Sequence, residues 1–171
     1  MRAPAVVLVA VDDAVLRALM RAATTEAAAD EVTPPLTPGN TWTPERIEWL
    51  RRLHQDCRAG LSGPAGQATW AITQDGRTVG AVRLTRTNDE AALETGIWLT
   101  RDARGHGLGA AAIAAVLDKV AELGADEVCA ETTSGNAAAL GVLRRLGFEI
   151  SRAEDGPGVR ARRRVPQAGK V

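Results

Sequence analysis

The chain has 171 residues, of which 45% are apolar and 25% are charged, and its 21 lysines and arginines balance 21 aspartates and glutamates. This neutral balance gives no argument for a nucleic-acid or membrane partner, and two cysteines with two histidines are too few for a metal site or a disulfide framework. The length fits one domain, which we expect to span residues 1–165, followed by a basic tail at residues 166–171 that frays.

The N-terminal third is predicted to contain one strand and two helices. Its first apolar run ends at Asp12 and Asp13, lacks a convincing cleavage site and is too short to span a bilayer, so we expect a cytoplasmic protein. Thr43 followed by Pro44 is typical of a helix start, as an N-cap and a first-turn proline. The predicted elements are a strand at Ala5–Val11, a helix at Asp13–Ala28, a proline-rich loop at Glu31–Asn40 and a helix from Thr43 to about Ala59.

Three strands of a meander are predicted next. Asp75-Gly76 between two apolar runs indicates a tight hairpin turn. Side chains alternate between the two faces of a strand, so Glu94, Gly96 and Trp98 are expected to share one face of the third strand. The three strands are predicted at Ala68–Thr73, Thr78–Leu84 and Ala91–Thr100.

Helices and strands alternate in the C-terminal half. After a glycine-rich loop, apolar residues at helical spacing predict a helix that ends at Gly124. The remaining elements are a strand at Asp126–Thr132, a helix at Asn136–Leu146 and strands at Phe148–Arg152 and Val159–Val165. This order predicts an α/β fold, an α+β mixed sheet of about seven strands with four helices on both faces. An exposed strand edge permits a homodimer.

The glycine-rich loop, RGHGLG at residues 104–109, has a composition that suits phosphate binding, because glycines expose backbone N–H groups. Gly105, Gly107 and Ala110 formally satisfy a dinucleotide-binding fingerprint. That fingerprint requires its glycines directly after a strand, in the first unit of a parallel sheet. Here Arg101–Arg104 intervene and an antiparallel hairpin precedes, so the dinucleotide interpretation is disfavoured.

A second motif changes the interpretation of this loop. The first motif, at the start of one predicted helix, consists of Arg104, Gly107 and Gly109. The second belongs to the next predicted helix, one strand later, and consists of Asn136 and Leu-Gly-Phe at residues 146–148. This pair of motifs resembles the GNAT (Gcn5-related) N-acetyltransferase superfamily, and within it the Rim-type branch of ribosomal-protein N-terminal acetyltransferases. The resemblance covers about Ala68–Ile150 and implies a GNAT-like fold with a splayed mid-sheet and acetyl-CoA as co-substrate.

The resemblance also implies which residues bind coenzyme A. The loop and the following helix N-terminus would bind the pyrophosphate, with Arg104 adding a charge-assisted contact. The backbone at Trp98 and Leu99 would pair with the pantetheine amides, and Asn136 would reach the same arm, unless Asn136 only caps its helix. The expected contacts to the cofactor are made by Trp98, Leu99, Arg104, Gly105, His106, Gly107, Leu108, Gly109, Ala110 and Asn136.

The sequence departs from the family pattern where a proton donor is usual. Many members have a tyrosine seven residues after the asparagine, and Rim-type enzymes often have a serine three residues after it; these positions are Leu143 and Ala139, and the chain contains no tyrosine. We expect Glu94 to be the general base, because Rim-type proteins frequently carry Glu-x-Gly in this strand; the other interpretation is a solvent-facing glutamate. His54, on the second helix, is either a surface or partly buried residue or part of the acceptor site.

The predicted reaction is transfer of an acetyl group from acetyl-CoA to a primary amine of a small molecule, for which an aminoglycoside-like antibiotic is one candidate, by direct attack in a ternary complex. Two alternatives remain: acetylation of a protein N-terminal α-amine, and a non-catalytic acyl-CoA-binding module. The acidic residues expected near a cationic acceptor are Asp30, Glu31, Glu154 and Asp155.

Overall fold

Seven strands form one mixed sheet in the computed structural model, which describes residues 4–154 and 156–167. The strands are β1 (Val7–Ala10), β2 (Gln67–Gln74), β3 (Arg77–Arg86), β4 (Ala92–Leu99), β5 (Glu127–Thr133), β6 (Glu149–Arg152) and β7 (Gly158–Arg164). The helices are α1 (Asp13–Glu26), α2 (Ala29–Val32), α3 (Pro44–Asp56), α4 (Leu108–Glu122) and α5 (Ala137–Arg145). The predicted mixed sheet of about seven strands is therefore confirmed.

The strand order across the sheet is β1-β2-β3-β4-β5-β7-β6. Only β4 and β5 pair in parallel, while all other neighbours are antiparallel. The hairpin between β2 and β3 turns at Asp75 and Gly76, whose φ angles of 50° and 79° both lie in the left-handed region that such a turn requires. The one parallel pair thus joins an N-terminal meander to the C-terminal half of the sheet.

Two apolar cores lie on opposite faces of the sheet. The larger one packs α4 and α5 against the sheet and includes Ala112, Val116 and Val120, which are fully buried. The smaller one packs Leu16 and Leu19 of α1 against the other face. Because apolar helix faces must be buried against a sheet, this arrangement explains why helices cover both sides.

The main departure from the predicted elements lies between the first two long helices. The predicted loop at Glu31–Asn40 begins inside α2, a single helical turn that adds a fifth helix to the four predicted. Arg46 of α3 is completely buried; its Nε donates to Thr37 Oγ1 at 3.0 Å, and its Nη2 donates to the carbonyl oxygens of Thr37 and Gly39. The proline-rich loop is therefore held in place by a buried guanidinium, which the sequence pattern did not indicate.

The ends of the chain are only partly described. Of the predicted tail at residues 166–171, the structure describes Pro166 and Gln167, and the Gln167 side-chain amide donates to the Ala125 carbonyl at 2.6 Å. Residues 168–171 of that tail lie outside the described residues. Within the described ranges, none of the helices is both long enough and apolar enough to cross a membrane.

Candidate functional site

Strands β4 and β5 separate part of the way along their length. Four residue pairs join them, from Ala92–Glu127 to Thr95–Ala130. Beyond these pairs, β4 continues to Leu99 while pairing only with β3, and β5 continues to Thr133 while pairing only with β7. The facing backbone edges at residues 96–99 and 131–133 form an opening, called the fork below. Unpaired strand edges of this kind bind extended ligands that carry amide groups.

The N-terminus of α4 presents unpaired backbone donors. Gly105 and Gly107 have φ angles of 76° and 79°, and Gly107 caps the helix without any side-chain hydrogen bond. The first backbone bond at this end runs from the Ala111 N–H to the Gly107 carbonyl at 3.1 Å. Within residues 4–154 and 156–167, the amides of residues 108–110 have no acceptor. Such N–H groups and the positive end of the helix dipole attract anions.

The two glycines that follow His106 differ in why the site needs them. A Cβ at Gly107 would lie 3.2 Å from Pro4 Cγ, and the residue has a left-handed conformation, so a side chain there is disfavoured by the fold itself. A Cβ at Gly109 would lie 3.7 Å from Leu99 Cδ1, which is an ordinary contact. The fold therefore tolerates a side chain at residue 109, beside the free amides. His106 lies exposed in the loop, directly before Gly107.

Arg104, predicted to contact the pyrophosphate, forms two other interactions in this structure. Its Nη1 and Nη2 donate to the two carboxylate oxygens of Glu31, each at 2.9 Å, and its Nε and Nη2 donate to the Leu99 carbonyl at 3.1 and 2.9 Å. This ion pair lowers the pKa of Glu31 to about 2. The pair exists because α2 brings Glu31 to the loop, and the sequence reading treated that segment as unstructured. The phosphate contact of Arg104 stays a prediction.

Asn136 caps α5, as one of its two interpretations proposed. Its Oδ1 accepts a hydrogen bond from the Ala139 N–H at 3.1 Å, and the residue follows the end of β5, which forms one side of the fork. Its contact with a pantetheine arm is not tested by this geometry. Leu143, at the position where the resemblance implies a tyrosine, is buried in the larger core, so no proton donor lies at that position.

Glu94 lies where the fork begins. It is half-buried and opposite Thr85 on β3 and Cys129 on β5, one pair before the β4–β5 pairing ends. Trp98, on the same face of the strand, packs against the smaller core beneath α1. Cys129 is almost completely buried, and burial raises the pKa of its thiol, so it is protonated at neutral pH. Glu94 is therefore the carboxylate that β4 contributes to this face of the sheet.

A cavity of about 180 Å³ lies between α3 and strands β2–β4. His54, 2% exposed, lines it; its Nδ1 lies 2.9 Å from Thr69 Oγ1, and its Nε2 has no partner within the described residues. Arg83 of β3 also lines the cavity. His54 was expected to be a surface or partly buried residue or part of the acceptor site; the surface placement is wrong, since the side chain is buried beneath α3, and Arg83 was not among the predicted site residues. The signal for Arg83 was one charged residue inside the apolar strand sequence VGAVRL.

The burial of His54 predicts a measurable loss of stability in mild acid. Burial lowers its pKa to about 4, whereas an unfolded histidine titrates near 6.5. Above pH 6.5 both states are neutral; between pH 6.5 and 4 the unfolded state alone gains the proton, so folding weakens as the pH falls. We expect His54 to remove about 2 to 3 kcal/mol of the free energy of unfolding between pH 7.5 and 4.5.

Urea unfolding at these two pH values measures that loss, since the comparison is made within one variant. His54→Gln is expected to be less stable at both pH values but to lose less between them, whereas the exposed-loop variant His106→Gln keeps the full wild-type loss. A proton-NMR titration of the wild type gives a direct check. A His54 resonance that titrates near pH 6.5 would contradict the neutral, buried state.

Comparison with known proteins adds a family match. A family model described as "Acetyltransferase (GNAT) domain" matches residues 6–149. An L-methionine sulfoximine/L-methionine sulfone acetyltransferase of Pseudomonas aeruginosa is 41% identical over 59 residues, which cover 34% of this chain and 34% of that protein. The matched segment therefore spans about a third of the length of that curated relative.

Solved structures share the whole fold at low identity. RimL, a ribosomal L7/L12 α-N-protein acetyltransferase in complex with coenzyme A, has a TM-score of 0.74 at 18% identity and covers 94% of both chains. The GNAT domain of S. lividans PAT has a TM-score of 0.70 at 16% identity and covers 93% of this chain and 89% of its own. At such identities the likeness shows the fold alone.

Proposed function

Because this chain belongs to the GNAT acetyltransferase family, we propose that it transfers the acetyl group of acetyl-CoA to a primary amine of a small molecule. The observation that carries this proposal is the fork between β4 and β5 beside the N-terminus of α4, which no side chain caps. The two features offer an extended backbone edge and a set of free N–H groups in one place. A pantetheine arm and a pyrophosphate have the matching chemistry.

In this proposal the donor lies across the fork. The amides of residues 108–110 and the loop at Arg104–Gly107 bind the pyrophosphate, and the edge of β4 at Trp98 and Leu99 pairs with the pantetheine amides. Asn136 lies at the end of β5, on the other side of the fork. Arg104 reaches a phosphate by exchanging its bonds to Glu31 and Leu99 for it.

The remaining chemistry requires a deprotonated amine. Acetyl-CoA supplies an activated thioester; the amine nitrogen forms a bond to its carbonyl carbon, and the carbon–sulfur bond breaks. Glu94 accepts the proton that the ammonium group loses before the attack, and the departing thiolate takes up the second proton that the nitrogen loses as the amide forms. Trp98 lies four positions after Glu94 along the strand, roughly 13 Å away, so the proton passes through water. A thiol with a pKa near 8.5 leaves as thiolate without a strong acid, which suits a chain that lacks tyrosine and buries Leu143.

The cavity and the loop on the acceptor side of the sheet indicate how large an acceptor can bind. The cavity of about 180 Å³ is lined on one side by α3 and by the end of α2, and the loop after α2 is held by Arg46. An anchored loop favours a small acceptor over a peptide. Of the acids expected there, Glu31 is paired with Arg104, and Asp155 lies outside the described residues. The name of the Pseudomonas relative, an acetyltransferase of amino-acid derivatives, agrees with a small acceptor.

A panel of amines tests the proposal. The purified chain is mixed with acetyl-CoA and with aminoglycosides, polyamines, amino acids or N-terminal peptides; thiol release and the acetylated product are measured. We expect amine-dependent release with one or more small amines and an equal amount of N-acetylated product. Activity with peptides alone would favour the protein N-terminal alternative. Tight binding of coenzyme A without turnover of any amine would favour a non-catalytic acyl-CoA-binding module.

A further inference from the structure

The cavity beside the fork contains a positive charge that the protein does not neutralise. Arg83 of β3 lines it, and within the described ranges its guanidinium forms no hydrogen bond and has no carboxylate oxygen within 4.0 Å. Its Nε is buried without a partner. The packing around Nε shields it from a ligand, whereas Nη1 and Nη2 also lack partners and keep accessible surface, so a ligand that supplies their acceptors gains binding free energy.

The neighbouring strands hold the guanidinium of Arg83 in a defined position. Arg83 lies opposite Thr69 on β2 and Gly96 on β4. A Cβ at Gly96 would lie 3.4 Å from Arg83 Nη2, so the guanidinium extends over the strand at the place where a glycine leaves room for it. A planar guanidinium with several free donors matches a carboxylate, which it binds through two parallel hydrogen bonds.

The other ionisable groups of the cavity do not compensate this charge. Glu31 also lines it, but both of its oxygens accept hydrogen bonds from Arg104. His54 is neutral, because burial lowers its pKa to about 4, and Cys57, near Arg83 in the bend after α3, has its pKa raised to about 11 by burial. Glu94 lies on the same strand face, two residues before Gly96, and forms no ion pair with Arg83. The cavity therefore favours an anionic group.

We infer that Arg83 binds a carboxylate of the acceptor, and that the acceptor class is an amino acid or a similar small molecule with a carboxylate close to its amine. This inference rests on the proposed function. Along β4, Gly96 is two to three residues from Trp98 and Leu99, about 7 to 10 Å. One hydrogen bond, the short span of an amino acid and the approach of an amine to a carbonyl carbon add up to about the same length.

The inference separates acceptor classes that the fold alone does not. A polycationic aminoglycoside or polyamine would place its charges against Arg83, which lines the cavity. A simple amine leaves the guanidinium without a partner. An amino acid supplies a carboxylate for the guanidinium and an amine for the reaction.

The test compares amino acids with the amines formed from them by decarboxylation. L-methionine sulfone, L-leucine and L-valine are each assayed beside their decarboxylated counterparts by thiol release with the full chain. For the wild type, we expect kcat/KM to be at least about 100-fold higher for one or more of the amino acids. Arg83→Met keeps the aliphatic stem and is expected to bring that ratio to within about threefold of one, while Arg83→Lys gives an intermediate ratio.

Two controls keep the result specific. Arg164→Met removes another strand arginine, one that is exposed, and is expected to keep the wild-type ratio. Affinity for coenzyme A and the thermal midpoint show that Arg83→Met is folded. A wild type that acetylates the decarboxylated amines equally well overturns the inference but leaves the proposed function standing.

If no amine is acetylated, equilibrium binding of amino acids tests the inference instead. If the wild type in the presence of coenzyme A binds an amino acid, and Arg83→Met does not, the carboxylate site stands although the proposed acetylation fails. If neither turnover nor binding of any amino acid is measured, the inference is wrong.

Discussion

Gly109→Asp is expected to weaken coenzyme A binding at least about 100-fold while leaving the fold intact. The new carboxylate would lie in the first turn of α4, beside the free amides of residues 108–110. A like charge about 5 Å away at an effective dielectric constant of about 20 costs about 3 kcal/mol, which exceeds a factor of 100 in affinity. The site then loses its attraction for a pyrophosphate, because the new carboxylate interacts with the positive end of the helix in its place.

Stability should move in the opposite direction, which makes this variant informative. A Cβ at residue 109 meets only an ordinary contact with Leu99, aspartate forms helix better than glycine, and an acid in the first turn is favourable to the helix dipole. Gly109→Asn has nearly the same shape without the charge and is expected to lose less than about tenfold in affinity. Titration calorimetry with coenzyme A and thermal unfolding measure the two effects. Equal affinities of the aspartate variant and the wild type would show that the pyrophosphate does not bind here.

Glu94→Gln is expected to lower the acetylation rate by about 100-fold or more below pH 8. Glutamine keeps the shape of the side chain but does not accept a proton, and a positioned general base typically contributes 100- to 10,000-fold. The loss should shrink as the pH rises, because a growing share of the acceptor is then already deprotonated. The affinity for coenzyme A should stay within a few-fold of the wild type, since Glu94 lies on the acceptor side of β4, where the fork begins.

A matched strand glutamate provides the control for this variant. Glu149 lies exposed on β6, at the far edge of the sheet, and Glu149→Gln is expected to leave the rate and its pH dependence unchanged. The measurement is the pH profile of kcat from pH 6 to 9.5 with one small amine from the panel. A Glu94→Gln profile that superimposes on the wild type would falsify the role of Glu94 as the base.

Local signals were sufficient for most of the secondary structure. The Asp75-Gly76 turn and the Thr43-Pro44 helix start are both found as predicted, because each depends on backbone preferences of adjacent residues. The bounds of the strands and long helices differ from the predicted ones by at most about three residues. The exception is α2, which is a single helical turn. The prolines that follow it led to the prediction of a loop for the whole segment.

Contacts between residues that are far apart in the sequence could not be predicted from such local signals. The pairing of Glu31 with Arg104 joins residues 73 positions apart, and the bonds of Arg46 to Thr37 and Gly39 require the whole loop to be in place. No periodicity or short motif records such contacts. The predicted phosphate contact of Arg104 therefore did not include its carboxylate partner, and the predicted helix start at Thr43 and Pro44 gave no sign that Arg46 holds the preceding loop.

Glycine spacing, caps and alternation act over a few residues, so they were sufficient to predict the fold class and the family; the position of the donor loop, predicted in the same way, stays a prediction. The surroundings of the cavity depend on tertiary packing. His54 and Arg83 are 29 positions apart, and they face one cavity because β3 pairs with β2, whose Thr69 meets the His54 ring. Burial and uncompensated charge are properties of that packed arrangement, since both depend on which distant groups remain within reach.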